Sequence, residues 1–182
     1  MRGRGVRLGA IAAAVVVLGA VAFLATRGVQ QGATPVDSAL IGTASPRVAT
    51  TTLAGAPFDL AALRGRVVVL SFFASWCPPC KNEAPELATF AYDEHARGAA
   101  AVLYGVVYED SNAAAALFVR TYGGGYQVLR DPNGTIASSF GVTGPPVTVV
   151  VGPTGRIDTI LEGAVTAHQL EGVVASAGAT AT

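Results

Sequence analysis

Two cysteines, Cys77 and Cys80, are separated by two residues directly after an apolar run, and the chain contains no others. A disulfide between them would close so short a loop that chain entropy gives only about 2 kcal/mol of stabilisation. The spacing alone is compatible with a structural disulfide, half of a metal site or a redox dithiol. Zinc is the easiest to reject, because a closed site needs four ligands and His95 and His168 are distant in sequence.

Composition and charge indicate one ordinary folded domain with an appendage. Of 182 residues, 51% are apolar and 13% are charged, which is enough apolar material for a substantial core. The first 27 residues hold four arginines and no acid, so the remainder has 8 basic and 12 acidic residues and a net charge of −4. This acidic balance argues against nucleic acid as a partner.

Residues 8–25 are uncharged and follow three arginines. The run is longer than the apolar region of most signal peptides and reaches the lower limit for a spanning helix. We therefore expect an uncleaved membrane anchor, with a cleaved export signal as the main alternative. The positive-inside rule then puts the rest of the chain on the extracytoplasmic side. The predicted localisation is a single-pass protein of the cell membrane.

The sequence divides into four parts: a signal segment over residues 1–27, a flexible linker over 28–45, a folded domain over 46–177 and a disordered tail over 178–182. The order of strands and helices within the domain indicates an α/β fold with a mixed sheet. The predicted elements are a hairpin over 48–60, a buried strand over 67–73, a helix over 81–95, a strand over 101–108, a helix over 111–122, a short strand over 126–129, a hairpin over 147–161 and a helix over 167–177.

The dithiol lies where a strand gives way to a helix. Cys77 follows the strand and Cys80 falls in the first turn of the helix, where unpaired N–H groups and the helix dipole stabilise a thiolate. We expect Cys77 to attack a substrate disulfide and Cys80 to resolve the mixed disulfide. The intervening Pro78-Pro79 adds no charge and no histidine of the kind that makes some such pairs strongly oxidising. We therefore predict a reducing pair.

Four segments resemble one known family in the right order, namely residues 73–85 around the dithiol, 105–110, 131–134 and 140–148. Together they are similar to the extracytoplasmic thioredoxin-like proteins of the TlpA, ResA and CcmG (DsbE) type, which are thiol:disulfide interchange proteins. The similarity spans about residues 46–175. These motifs are highly specific for the family and less specific for a substrate.

The resemblance implies a thioredoxin fold, with a central mixed β-sheet flanked by helices, an N-terminal hairpin and a central insertion. It also implies a redox-active disulfide between Cys77 and Cys80, faced by Pro146 in a cis peptide, with Pro145 and Pro146 contacting substrate. Pro146 fits better than Pro145 because Thr148 then falls two residues later, as in the family pattern. The alternative is that the two prolines form only a turn. Pro145 lacks an N–H for a substrate bond but keeps its carbonyl.

Other residues near the dithiol have two interpretations each. Glu83 matches the family's active-site acid, which would exchange a proton with the resolving cysteine, but it could also be only a dipole partner of the helix. Ser71 stands where other thioredoxins carry a buried Asp, so one candidate proton carrier is missing. Trp76 is expected to be a flat substrate contact or else a packing residue. Glu109 and Asp110 have two equally good interpretations: they tune the electrostatics of the dithiol site, or they are simply part of a solvated loop.

These features predict a membrane-anchored extracytoplasmic thiol:disulfide oxidoreductase that reduces disulfides in exported proteins, such as apocytochrome c during cytochrome c maturation. Its partners would be that substrate, a membrane dithiol electron donor and the membrane itself through the N-terminal helix, with no nucleic acid. We expect no cofactor and no metal. The alternatives are a disulfide-forming oxidase, which would use the same residues, and a redox-inactive thioredoxin-fold binding protein.

Overall fold

The computed structural model describes residue 19 and residues 32–98 and 101–179. Within these ranges the strands are β1 Thr34–Pro35, β2 Ala49–Thr51, β3 Pro57–Asp59, β4 Val67–Phe73, β5 Ala101–Val107, β6 Gln127–Leu129, β7 Val147–Val151 and β8 Ile157–Glu162. The helices are α1 Pro78–Ala96, α2 Asn112–Tyr122, α3 Thr135–Ser139 and α4 Ala167–Ala179, with a 3₁₀ turn at Leu60–Leu63.

Strand β4 lies inside a six-stranded sheet with the order β1-β8-β7-β4-β5-β6. It pairs in parallel with β5 and antiparallel with β7, so the sheet is mixed. All seven residues of β4 are buried, as expected of an apolar strand covered on both faces. The predicted α/β fold with a central mixed sheet is confirmed, and β2 and β3 form the predicted N-terminal hairpin beside it.

Alternate residues of β4 enter different parts of the core. Those on one face pack with the ring of Phe140, which follows α3, and with β8, while those on the other pack beneath α1 and α4. The first group comprises Val68, Leu70 and Phe72 with Phe140 and Ile157, and the second comprises Val67 and Val69 with Phe90 and Leu170. Helix α1, which carries the dithiol, is therefore fixed to the sheet by apolar packing.

Helix α1 begins three residues before the predicted start. Cys77 is its N-cap residue, and proline occupies the first helical positions, where its missing N–H leaves no intrahelical bond unmade. Cys80 therefore lies in the first turn, as predicted. Pro85 lies inside the helix, as the sequence indicates.

Part of the segment predicted as a flexible linker packs onto the domain instead. Thr34 and Pro35 pair with β8 at the sheet edge, and Ala33 is buried. The Gln169 amide forms two hydrogen bonds with the Ala33 backbone, at 3.1 Å to its N–H and 2.6 Å to its carbonyl. These bonds hold the described part of the segment, residues 32–45, to the domain. At the other end α4 continues to Ala179, into the predicted tail.

The predicted signal segment, residues 1–27, lies outside the described residues except for Gly19. Among residues 32–98 and 101–179, no helix has both the length and the apolar character needed to cross a membrane. The predicted localisation as a single-pass membrane protein is therefore wrong for the part of the chain that the structure describes.

Candidate active site

The two cysteines form a disulfide at the N-terminus of α1. The Cα atoms of Cys77 and Cys80 are 5.3 Å apart, and both residues are buried. The Cys80 backbone N–H also donates to the Cys77 Sγ atom at 3.2 Å, so the first cysteine caps the helix with its sulfur. In the reduced form this N–H and the dipole of a 19-residue helix favour a thiolate on Cys77.

The loop between β4 and α1 brings Trp76 to the surface. Its ring is 55% exposed and lies with its centroid 6.5 Å from that of Tyr108. The indole N–H donates to the Glu109 carbonyl at 3.3 Å, which fixes one edge of the ring. Trp76 is thus a large exposed aromatic side chain, held at one edge and directly preceding Cys77.

Pro146 forms a cis peptide with Pro145, so the predicted isomer and its position are confirmed. Pro146 directly precedes β7, whose first residue, Val147, pairs with Phe72 near the end of β4. The proline pair therefore lies at the end of the sheet where β7 begins and β4 leads into the Cys77 loop. Pro146 is buried and its carbonyl accepts the Gly163 N–H at 3.0 Å, whereas Pro145 is half-buried.

Glu83 lies on α1 and is almost fully buried, at 1% exposure. The Thr148 hydroxyl donates to its Oε1 atom at 3.5 Å, while its Oε2 atom has no hydrogen-bond partner. Burial raises the pKa of Glu83 from 4.5 to about 8, although the Val165 N–H and the Thr148 hydroxyl oppose this shift. A carboxyl with such a pKa can both hold and release a proton near neutral pH.

Two further polar side chains lie on the same side of the sheet. Ser71, the partner of Thr148 across β4 and β7, is fully buried and its hydroxyl has no hydrogen-bond partner. Tyr126 is also affected, since burial and then the charge of Glu83 raise its pKa. Sequence reasoning identified Glu83 and Ser71 but missed Tyr126 and the Val165 N–H. Side chains alternate between the two faces of a strand, and this alternation along the strand after the cis proline would have predicted that Thr148 points to the same face as Val150.

The fold and the buried Cys77–Cys80 pair define a thioredoxin-fold protein with a redox-type C-x-x-C pair. The AhpC/TSA family profile matches residues 41–160, and the chain belongs to this family. It is 37% identical over 123 residues to the thiol:disulfide interchange protein DsbE homolog of Paracoccus denitrificans, covering 66% of this chain and 65% of that protein. The chain thus spans slightly less than two thirds of that relative.

Two other similarities agree with this assignment. The thiol:disulfide interchange protein HelX of Rhodobacter capsulatus is 36% identical over 132 residues, covering 71% of this chain and 72% of HelX. A solved structure of a secreted Mycobacterium tuberculosis disulfide oxidoreductase, described as homologous to E. coli DsbE, is 32% identical. It superimposes with a TM-score of 0.63 over 71% of this chain and 95% of that protein.

Proposed function

We propose that this protein is a thiol:disulfide oxidoreductase that reduces disulfides in protein substrates. The observation that carries the proposal is the Cys77–Cys80 disulfide, which lies at a helix N-terminus and at the end of the sheet where the cis Pro146 precedes β7. A three-residue separation adds little stability as a cross-link, whereas the helix N-terminus favours the thiolate that disulfide exchange requires. The names of the relatives, thiol:disulfide interchange proteins, support the same reaction class.

The reaction begins from the reduced dithiol. The Cys77 thiolate attacks one sulfur of a substrate disulfide, which forms a Cys77–substrate disulfide and releases the other substrate sulfur as a thiolate that takes up a proton. The Cys80 thiolate then attacks the Cys77 sulfur, forming the Cys77–Cys80 disulfide and releasing the second substrate thiol. Two electrons pass from the dithiol to the substrate, whose two released thiolates take up protons from the solvent, and the protein becomes oxidised.

Glu83 accepts the proton that Cys80 loses in the resolving step. It lies one helical turn after Cys80, so the ionised carboxylate takes the proton from the Cys80 thiol as that sulfur becomes the nucleophile. The buried carboxyl, with its pKa of about 8, then holds the proton in the oxidised protein. When the dithiol is reduced again, the proton returns to Cys80.

Trp76, Pro145 and Pro146 form the substrate contact. The exposed Trp76 ring covers an extended peptide beside Cys77, and the half-buried Pro145 offers a carbonyl to a substrate backbone N–H. Since the Pro146 carbonyl already accepts from Gly163, Pro146 contributes the shape of the cis turn rather than a hydrogen bond to substrate. The substrate is proposed to be an exported protein such as apocytochrome c, whose haem-attachment thiols must be free, and electrons come from a partner dithiol protein.

Substrate trapping tests the proposal most directly. A Cys80→Ser variant lacks the resolving thiol and should accumulate mixed disulfides through Cys77, while a Cys77→Ser/Cys80→Ser variant is the matched control. Captured proteins identify the substrate, and the wild-type protein should reduce insulin disulfides with an added dithiol. Absence of both capture and insulin reduction would rule out the proposed function.

Equilibration with glutathione buffers tests the direction of electron flow. A reducing protein should have a potential towards that of thioredoxin, about −270 mV, because neutral Pro78-Pro79 adds no charge that favours the thiolate. A potential near about −120 mV would instead make the protein an oxidase.

A further inference from the structure

A second loop, residues 108–111, is hydrogen-bonded to the loop that leads into the dithiol. It begins where the Tyr108 N–H donates to the Phe73 carbonyl at 2.9 Å, at the end of β4. It continues with Glu109, whose carbonyl accepts the Trp76 indole N–H. The segment 74–76 therefore gains fixed partners from outside its own strand and helix.

Asp110 supplies the shortest of these contacts. Its Oδ2 atom accepts the Ser75 backbone N–H at 2.7 Å, and its Oδ1 atom accepts the Ser111 N–H at 2.7 Å. Ser111 in turn is the N-cap of α2, where its hydroxyl accepts the Ala114 N–H at 3.1 Å. One half-buried carboxylate thus joins the start of α2 to the residue that lies two positions before Cys77. Hydrogen bonds to an ionised carboxylate are stronger than those between neutral groups.

The backbone at Glu109 is held in an unfavourable conformation to allow this arrangement. Its φ is +42°, and within residues 32–98 and 101–179 every other positive φ belongs to a glycine. A left-handed conformation is unfavourable for a residue with a Cβ atom and persists where surrounding contacts enforce it. Here the enforcing contacts are the Glu109 carbonyl with Trp76 and the Asp110 carboxylate with Ser75.

We propose that Asp110 is a positioning residue for Cys77. By binding the Ser75 N–H, its carboxylate fixes the turn in which the Cys77 N–H donates to the Ala74 carbonyl at 3.2 Å, and so holds Cys77 at the N-cap of α1. Asp110 acts through the loop backbone and does not contact the substrate. This inference rests on the proposed thiol:disulfide chemistry and explains how the attacking sulfur is oriented.

Reaction of the reduced full-length protein with glutathione disulfide tests this role. The rate constant is measured at a pH high enough to ionise Cys77 fully, so that variants are compared at equal thiolate fraction. Asp110→Ala should lower this limiting rate constant about tenfold, because the Ser75 N–H loses a charged acceptor. Asp110→Asn retains one acceptor oxygen and should stay within about threefold of wild type.

Glu109→Gln is the matched control for charge. It removes a neighbouring negative charge and leaves the backbone carbonyl bonded to Trp76, so its limiting rate constant should stay within about twofold of wild type. The free energy of unfolding, measured for each variant, separates loss of folded protein from loss of positioning. If Asp110→Ala does not fold, Asp110→Ser, whose short side chain cannot serve both N–H groups, takes its place.

Two results would overturn the proposal: an alanine variant as fast as wild type, or an asparagine or Glu109→Gln variant as slow as alanine. Exchange between the dithiol and glutathione disulfide is the same chemical step whether or not the dithiol serves a protein substrate. Failure of insulin reduction and substrate capture would therefore contradict the proposed function, while the rate constants with glutathione disulfide would still decide the role of Asp110.

Discussion

Helix α1 buries two glutamates on one side, and their surroundings differ. Glu83 and Glu94 are 1% and 8% exposed and lie about three helical turns apart. Both oxygens of Glu94 have partners, because Oε2 accepts the Ala101 N–H at 3.1 Å and Oε1 lies 3.6 Å from the Arg97 Nη1. Glu83 has a long bond from Thr148, a backbone contact from Val165 and an unpaired Oε2. A buried carboxylate with a partner on each oxygen stabilises the fold. A buried carboxyl that lacks a partner on one oxygen retains its proton and can take part in proton transfer.

The largest expected effect is the pH dependence of stability. The pKa of Glu83 rises from 4.5 to about 8 on folding, so between these values the folded protein holds a proton that the unfolded chain releases. The stabilisation is complete below the unfolded pKa and is lost as the pH rises through the folded one. We expect the free energy of unfolding of the oxidised protein to fall by up to about 5 kcal/mol over this window.

Urea unfolding of wild type and Glu83→Gln from about pH 5 to about pH 9 isolates this contribution, since glutamine does not titrate. The difference between the two should change with pH in the stated direction. The difference in free energy of unfolding between wild type and Glu94→Gln is the internal control, because this variant replaces a buried acid on the same helix. A flat difference for Glu83→Gln would mean that Glu83 is ionised in the folded protein and that the contrast with Glu94 is wrong.

The next effect is on catalysis. Glu83→Gln removes the proton acceptor for Cys80, so we expect the single-turnover reduction of insulin at neutral pH to slow about a hundredfold. Glu94→Gln, on the same helix but three turns from the dithiol, should react within about twofold of wild type. Stopped-flow measurement with the pre-reduced proteins checks both values. Equal rates for the two variants would remove Glu83 from the proposed mechanism.

The contrast between the two acids explains how far the sequence could predict this molecule. The Cys77–Cys80 spacing and the apolar run of β4 are local patterns, and the cis Pro146 followed from the family resemblance. The burial of Glu83 depends on Thr148 and Val165, which reach it through a strand and a loop far along the chain. Local periodicity holds no information on such non-local packing.

The same reason accounts for the segment predicted as a linker. Its small and polar residues are typical of a tether, yet Thr34 and Pro35 pair with β8 through backbone groups, which leave no side-chain pattern to detect. The bond from the Ser75 N–H to Asp110 was equally hidden, because it joins a side chain to the backbone of a residue 35 positions earlier.

A smaller effect on stability is expected when the Glu94 side chain is removed and its partners lose their acceptor. Glu94→Ala leaves the buried Ala101 N–H without its acceptor, so the free energy of unfolding should fall by about 2 kcal/mol with the insulin reduction rate unchanged. Glu94→Gln keeps an amide oxygen for this N–H and should lose less than about 1 kcal/mol. Chemical denaturation of the oxidised proteins measures both. A loss of activity at unchanged stability would assign Glu94 to the site instead.

The smallest effect concerns Ser71, whose buried hydroxyl has no partner although it lies across from Thr148. Removing an unsatisfied buried polar group loses no hydrogen bond, so Ser71→Ala should leave the free energy of unfolding unchanged or raise it by up to about 1 kcal/mol. Thr148→Val, which removes the donor to Glu83, is the matched comparison. It should shift the loss of stability with pH to higher pH, because one contact that lowers the pKa of Glu83 is gone. If Ser71→Ala were destabilising and moved the pH dependence in the same way, Ser71 would belong with Thr148 among the groups that set the protonation of Glu83.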